Sequence, residues 1–204
     1  MKAFAMCLKI KSNHRNGTIY NYKPSLLEPS CSRYLASKLV EKAIKLGMIR
    51  MHNNNLTVVG LNKLLETHKL GWKSNKKIEI NKEDSVNDIY LKLNYILLKD
   101  NHNQYLYRNS DQASESNKGE MDVYHIGCRR LGEILNTTHS TASKILKKLD
   151  DKGMIDTKRY IKEIHTKNQI VSKHLQYLNF GRGHVYSMNN VIYIDKGSII
   201  YFNL

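Results

Sequence analysis

The segment Ala36–Ile49, ASKLVEKAIKLGMI, returns as Ala142–Ile155, ASKILKKLDDKGMI. Seven of the fourteen aligned positions are identical: Ala36/Ala142, Ser37/Ser143, Lys38/Lys144, Lys42/Lys148 and the closing Gly-Met-Ile. Three of the differing positions stay apolar, with Leu39 against Ile145, Val40 against Leu146 and Ala43 against Leu149. At about 100° per residue, Leu35, Ala36, Leu39, Ala43 and Leu46 fall on one side of a helix. Tyr34, Ser37, Lys38, Glu41, Lys42 and Lys45 fall on the other. Gly47 and Gly153 then stand where a left-handed helix cap is favoured. A chain that spells this amphipathic, glycine-stopped helix twice is expected to build one local unit twice.

The 204 residues suffice for two modest domains. In the first, KAFAMCLKIKSN (2–13) reads as a helix, Asn16-Gly17 as a break and TIYNY as a strand. PSLLE (24–28) reads as a very short helix, with its proline tolerated in the first turn. After the repeat helix, MIRMH and LTVVG flank Asn53-Asn54-Asn55 as a hairpin. In the second, residues 85–108 read as a packing helix, with Ile89, Leu93, Ile96 and Leu97 at helical spacing. Residues 109–120 read as a polar loop, MDVYHI as a strand, and CRRLGEILN as a helix with Leu131, Ile134 and Leu135 inward. Thr138 is placed to cap the second repeat helix. Residues 170–180 suit a helix, Gly181-Arg182-Gly183 a turn, and the C-terminal run a hairpin about Lys196-Gly197. The expected organisation is residues 1–62, a connector over 63–84, and residues 85–204.

Charge narrows the partners. The formal net charge is +15, and it is uneven. Residues 1–60 hold ten Lys/Arg against two acids, 61–120 ten against nine, and 121–204 thirteen against seven. Two basic ends around a nearly neutral middle suit a polyanion, because Lys and Arg displace condensed counterions from a phosphate backbone. The opening MKAFAMCLKIK lacks a secretory leader's apolar core and cleavage site. No apolar run reaches the roughly 20 residues of a membrane helix. Cys7, Cys31 and Cys128 are odd in number and widely spaced, which argues against a disulfide framework or a zinc site. A cytoplasmic protein without membrane contact is expected.

The order of helix, turn, amphipathic helix, Gly-Met-Ile and hairpin resembles the winged helix-turn-helix superfamily. The fuller copy is LGEILNTTHSTASKILKKLDDKGMI, Leu131–Ile155; in the first, PSLLE supplies the supporting helix. The second wing has to absorb the stretch from Ile155 to His184. The resemblance implies an α+β, mainly helical chain with two winged-helix domains, each with a small β-hairpin wing. It also implies double-stranded DNA as partner, since such a helix fits the major groove and offers its N-terminal turns to base edges. Matching positions are Arg33, Tyr34, Ser37, Lys38 and Lys42 in the first copy and Ser140, Thr141, Ser143, Lys144, Lys147 and Lys148 in the second. Arg33 suits a bidentate guanine contact, Lys144 a guanine edge or a phosphate, and Lys148 a phosphate. Wing residues His52, Asn53, Asn54 and Asn55, with Lys158 and Arg159, are expected at the backbone or minor groove.

Catalytic motifs do not emerge from the residues. There is no GxxxxGK[ST] loop, no dinucleotide fingerprint and no His-Glu-x-x-His helix, and the nine histidines show no ligand spacing. No enzyme activity, cofactor or metal is expected. The resemblance includes transcription regulators and plasmid or phage replication initiators, and some winged helices bind protein instead. A homodimer and a virion-assembly role stay open on that ground. The small size and the Lys/Asn-rich composition suit a phage or mobile element.

Overall fold

In the computed structural model, which describes residues 1–68, 78–109, 124–164, 184–188 and 191–202, the chain is α+β and mainly helical, with two small antiparallel sheets. It divides into residues Met1–Asn94 and Tyr95–Leu204. No described helix is long and apolar enough to cross a membrane.

The first unit is assembled around α1 (Lys2–Asn13), which buries Ala3, Phe4, Met6, Cys7 and Ile10. Strand β1 (Thr18–Ile19) follows, then a 3-10 turn over Pro24–Leu27. The first repeat helix is α2 (Arg33–Lys45), and β2 (Ile49–His52) and β3 (Asn55–Val58) form the hairpin after it. The hairpin turns through Asn53 and Asn54, whose φ values of 45° and 61° are both positive. That is the requirement of a two-residue turn whose twist matches the strands, and asparagine tolerates it. The sheet order is β1-β3-β2, with Thr18 opposite Thr57 and Ile49 opposite Val58.

Two findings revise the expected organisation of this half. The stretch read as a connector begins inside a helix, α3 (Leu61–His68), whose Leu64 is fully buried in the core. Its far end is also stitched down: the Lys9 ammonium, 2% exposed, donates to the carbonyls of Asn81 (3.3 Å) and Lys82 (2.6 Å). Asp84 accepts from Lys92 at 2.7 Å, and Ile78 and Ile80 pack on the same core. Helix α4 (Val86–Asn109) gives Val86, Ile89 and Leu93 to that core, so the first unit reaches Asn94. A polar, charged stretch carries no apolar periodicity to reveal such docking. A buried lysine satisfied by backbone carbonyls is a tertiary event.

In the second unit, Tyr95 and His102 of α4 pack their rings on Phe202 at centroid distances of 5.7 and 5.3 Å. Strand β4 (Tyr124–Ile126) precedes α5 (Cys128–Ile134) and the second repeat helix, α6 (His139–Asp151). Strands β5 (Ile155–Ile164), β6 (His184–Met188) and β7 (Val191–Phe202) complete the sheet. Its order is β4-β7-β5, with β6 also paired to β7. In both units, therefore, the strand before the helix pair lies beside the last strand, which lies between it and the strand leaving the repeat helix. The expected turn at Lys196-Gly197 is replaced by continuous strand: both residues lie inside β7, and β6 meets β7 with Met188 opposite Val191. The loop expected over 110–120, the helix over 170–180 and the Gly181-Arg182-Gly183 turn lie outside the described residues.

The recurrence of Gly-Met-Ile has a single geometric cause. Gly47 and Gly153 adopt φ of 69° and 63°. Their N–H groups donate to Ile44 (2.9 Å) and Asp150 (2.8 Å), and the next N–H groups, of Met48 and Met154, donate to Ala43 (2.8 Å) and Leu149 (3.0 Å). This paired closure satisfies carbonyls that a helix end would otherwise orphan. Ile49 and Ile155 then enter β2 and β5 as buried residues. A Cβ built on either glycine meets nothing within 4 Å, so Gly47→Ala or Gly153→Ala costs backbone conformation alone. The expected loss is about 1 kcal/mol each, read from urea midpoints, with Gly153→Asn losing less than Gly153→Ala.

Candidate nucleic-acid interface

Each repeat helix is started by the residue type that the sequence puts there. The Ser32 hydroxyl accepts from the Leu35 N–H at 3.4 Å, and the Thr138 hydroxyl accepts from the Thr141 N–H at 3.3 Å. A capping hydroxyl at this position takes up one of the free N–H groups of the first turn. Thr141 is thus engaged within its own helix turn, since its Oγ1 also accepts from Thr138 Oγ1 at 2.9 Å.

The turn that aims α6 is tight. Asn136 takes φ of 47°, and the Thr137 N–H donates to the Gly132 carbonyl at 2.9 Å. A Cβ on Gly132 would stand 2.9 Å from the Thr137 carbonyl oxygen and 3.3 Å from the His139 nitrogen. Backbone atoms cannot yield as a flexible side chain does, so glycine at 132 lets α5 approach the start of α6.

The buried face of α2 is Ala36, Leu39, Val40 and Ala43; that of α6 is Ala142, Ile145, Leu146 and Leu149. Outward, Arg33, Tyr34, Lys38 and Lys42 are exposed on α2, as are Ser140, Thr141, Ser143, Lys144, Lys147 and Lys148 on α6. Ser37 is half-buried. Both repeat serines donate back into their own helix, Ser37 to the Arg33 carbonyl at 3.2 Å and Ser143 to the His139 carbonyl at 3.0 Å. Their hydroxyl protons are engaged in this geometry, which leaves them as small residues that keep the surface low.

Two contacts organise the exposed face of α2. Arg33 Nε lies 3.0 Å from Glu28 Oε1, with both side chains well exposed. Lys38 Nζ lies 4.4 Å from the centre of the Tyr34 ring, which is 69% exposed. At the hairpin, His52, Asn53 and Asn54 are exposed, whereas Asn55 is half-buried and its Oδ1 accepts from the Asn21 N–H at 3.0 Å. Asn55 is therefore a brace for the tip. Lys158 and Arg159 sit in the body of β5, opposite Ile199 and Ser198, instead of at a hairpin tip. Lys158 is exposed, with Nζ 5.5 Å from the Tyr201 ring centre.

Several exposed residues escape the sequence reading. His139 opens α6, Ser140 Oγ is 3.4 Å from its Nε2, and Arg50 stands on β2 opposite Thr57. Arg129 and Arg130 are exposed on α5, where Arg130 pairs with Glu133 at 2.9 Å. The repeat alignment marks position 139 as the partner of Arg33, so the signal for His139 was present. Arg50, Arg129 and Arg130 lie off the repeat's amphipathic face and carry none.

Reactive groups are muted where they can be placed. Burial pushes the Cys7 thiol up to about 12 and raises Cys31, Tyr22 and Tyr90. These four groups stay protonated at neutral pH and make poor nucleophiles. Among the described residues no group of three His, Cys, Asp or Glu is placed to hold a metal ion. No family model, curated protein or solved structure matches the chain, so the functional reading is carried by the two capped, outwardly cationic helices themselves.

Proposed function

We propose that this protein binds double-stranded DNA through two winged helix-turn-helix units, presenting α2 and α6 to the major groove, and regulates transcription from the bound site. The observation that carries this reading is the recurrence of one device. A hydroxyl-capped helix with an apolar inner face and Ser/Lys/Lys outward closes on the same Gly-Met-Ile and leads into an antiparallel sheet in which the last strand lies between the strand before the helix pair and the strand after it. The inner face supplies rigidity. The outer face supplies cations to phosphates and side chains to base edges. The net charge of +15 favours association with a polyanion.

The test is a titration of labelled duplex against the full chain at several salt concentrations. A DNA binder gives log affinity falling linearly with log salt. A chain that uses these helices only for protein contact gives no such dependence. Footprinting on its own locus is expected to protect one compact site; an array of repeats beside an AT-rich stretch would identify a replication initiator instead.

The pairing of Arg33 with Glu28 adds a prediction. The carboxylate holds a guanidinium that a base edge would otherwise engage, and the pair is exposed and weak. Glu28→Gln is expected to strengthen binding to the selected site by up to about tenfold and to change binding to random duplex much less. Equal strengthening on the selected site and on random duplex would place Arg33 on the phosphates instead.

A further inference from the structure

We infer that α2 and α6 read unlike half-sites, the shared lysines anchoring phosphates while Arg33, Tyr34 and Glu41 on one helix and His139, Ser140 and Lys147 on the other choose the bases. The inference rests on the DNA-binding reading above and deepens it. Its basis is that the structure makes the two helices equivalent residue by residue. Both span thirteen residues, and the caps at Ser32 and Thr138 engage the N–H three residues on. Ser37 and Ser143 bond the carbonyl four residues back, and the glycine exits repeat bond for bond. Arg33 therefore occupies the place of His139, Tyr34 that of Ser140, and Glu41 that of Lys147.

Given that register, the outward positions separate into two classes. Lys38/Lys144 and Lys42/Lys148 are identical and exposed in both helices. An ammonium on a long stem is a point charge suited to phosphate, and phosphate contacts carry no sequence information. The other class has diverged in chemistry. Arg33 is a planar donor fork oriented by Glu28, whereas His139 is a small ring in reach of Ser140. Tyr34 puts an exposed ring with Lys38 against it where Ser140 leaves open space. Glu41 only accepts hydrogen bonds, and Lys147 only donates. An acceptor suits the amino group of cytosine, and a donor suits N7 and O6 of guanine. A base edge that satisfies one of these two residues repels the other, so one half-site cannot serve both helices well. The penalty for the wrong partner is about tenfold to a hundredfold in affinity.

The experiment selects duplexes from a random pool with the full wild-type chain, and separately with the R33H/Y34S/E41K variant. Because every substituted residue is exposed, circular dichroism and the melting curve should match wild type. Wild type is expected to enrich a bipartite site with two unlike halves. The variant is expected to enrich a site whose halves are alike, and to prefer it over the wild-type site by about tenfold or more. Two like halves for wild type, a single half-site, or an unchanged site for the variant would overturn the inference. Failure of wild type to retain any duplex over competitor at low salt would instead remove the DNA-binding reading beneath it, and the two failures are told apart by the wild-type lane alone.

Discussion

Replacing Lys38, Lys42, Lys144 and Lys148 together by alanine should weaken duplex binding about a thousandfold at 0.15 M salt and flatten the log-log salt slope by about 3.6. All four ammonium groups are exposed and lie on the outward face of a repeat helix. If each neutralises one phosphate, each contributes about 0.9 to the slope, and the four together account for the loss. The loss should be equal on a selected site and on random duplex, because phosphate contacts do not distinguish sequences. Parallel titrations on the two duplexes check this. A slope change near zero would assign these lysines to solvent, and a loss confined to the selected site would assign them to bases.

The largest expected stability effect is that of Leu149→Ala. Leu149 is fully buried, and its carbonyl also receives the Met154 N–H at the helix exit. Truncation leaves a cavity costing about 2–5 kcal/mol. Amide exchange of Ile145 and Leu146, where it proceeds through opening of this unit, should accelerate about thirtyfold or more. The equivalent position in α2 is Ala43, equally buried. There α1 packs on α2, and its Phe4, Met6 and Ile10 belong to the same core, so a methyl suffices. Ala43→Leu should therefore destabilise by about 1–3 kcal/mol through overpacking. Exchanging the two repeat residues harms both units, although the alignment shows them as equivalent. An unaffected melting curve for either variant would mean that the site relaxes freely.

Much of each repeat helix was legible because its signals are local. The inward period of Ala36, Leu39 and Ala43, the hydroxyl at Thr138 and the glycines at 47 and 153 each act within about one turn of chain. The same holds for the Asn53-Asn54 turn. Leu46, read as inward, is instead exposed, and Val40 takes a core place in its stead. The outward cations followed from the apolar face by elimination. What stayed hidden was non-local. Lys9 lies in a stretch whose sequence indicates only a helix, yet it is buried, with carbonyls 72 and 73 residues away receiving its ammonium. Glycine at 197 suggests a turn, yet it lies in β7 because strands β5 and β6 pair along the residues before it.

Residue order was enough to dictate that one capped, amphipathic, outwardly basic helix would be built twice and would stop at the same glycine each time. Long-range packing was needed to bring α3 and residues 78–93 into the first unit and to run β7 unbroken through Lys196 and Gly197. Hydrogen bonds and caps within a helix turn depend on neighbours in the chain. Strand partners and buried charges depend on which distant groups arrive, and no window of sequence contains them.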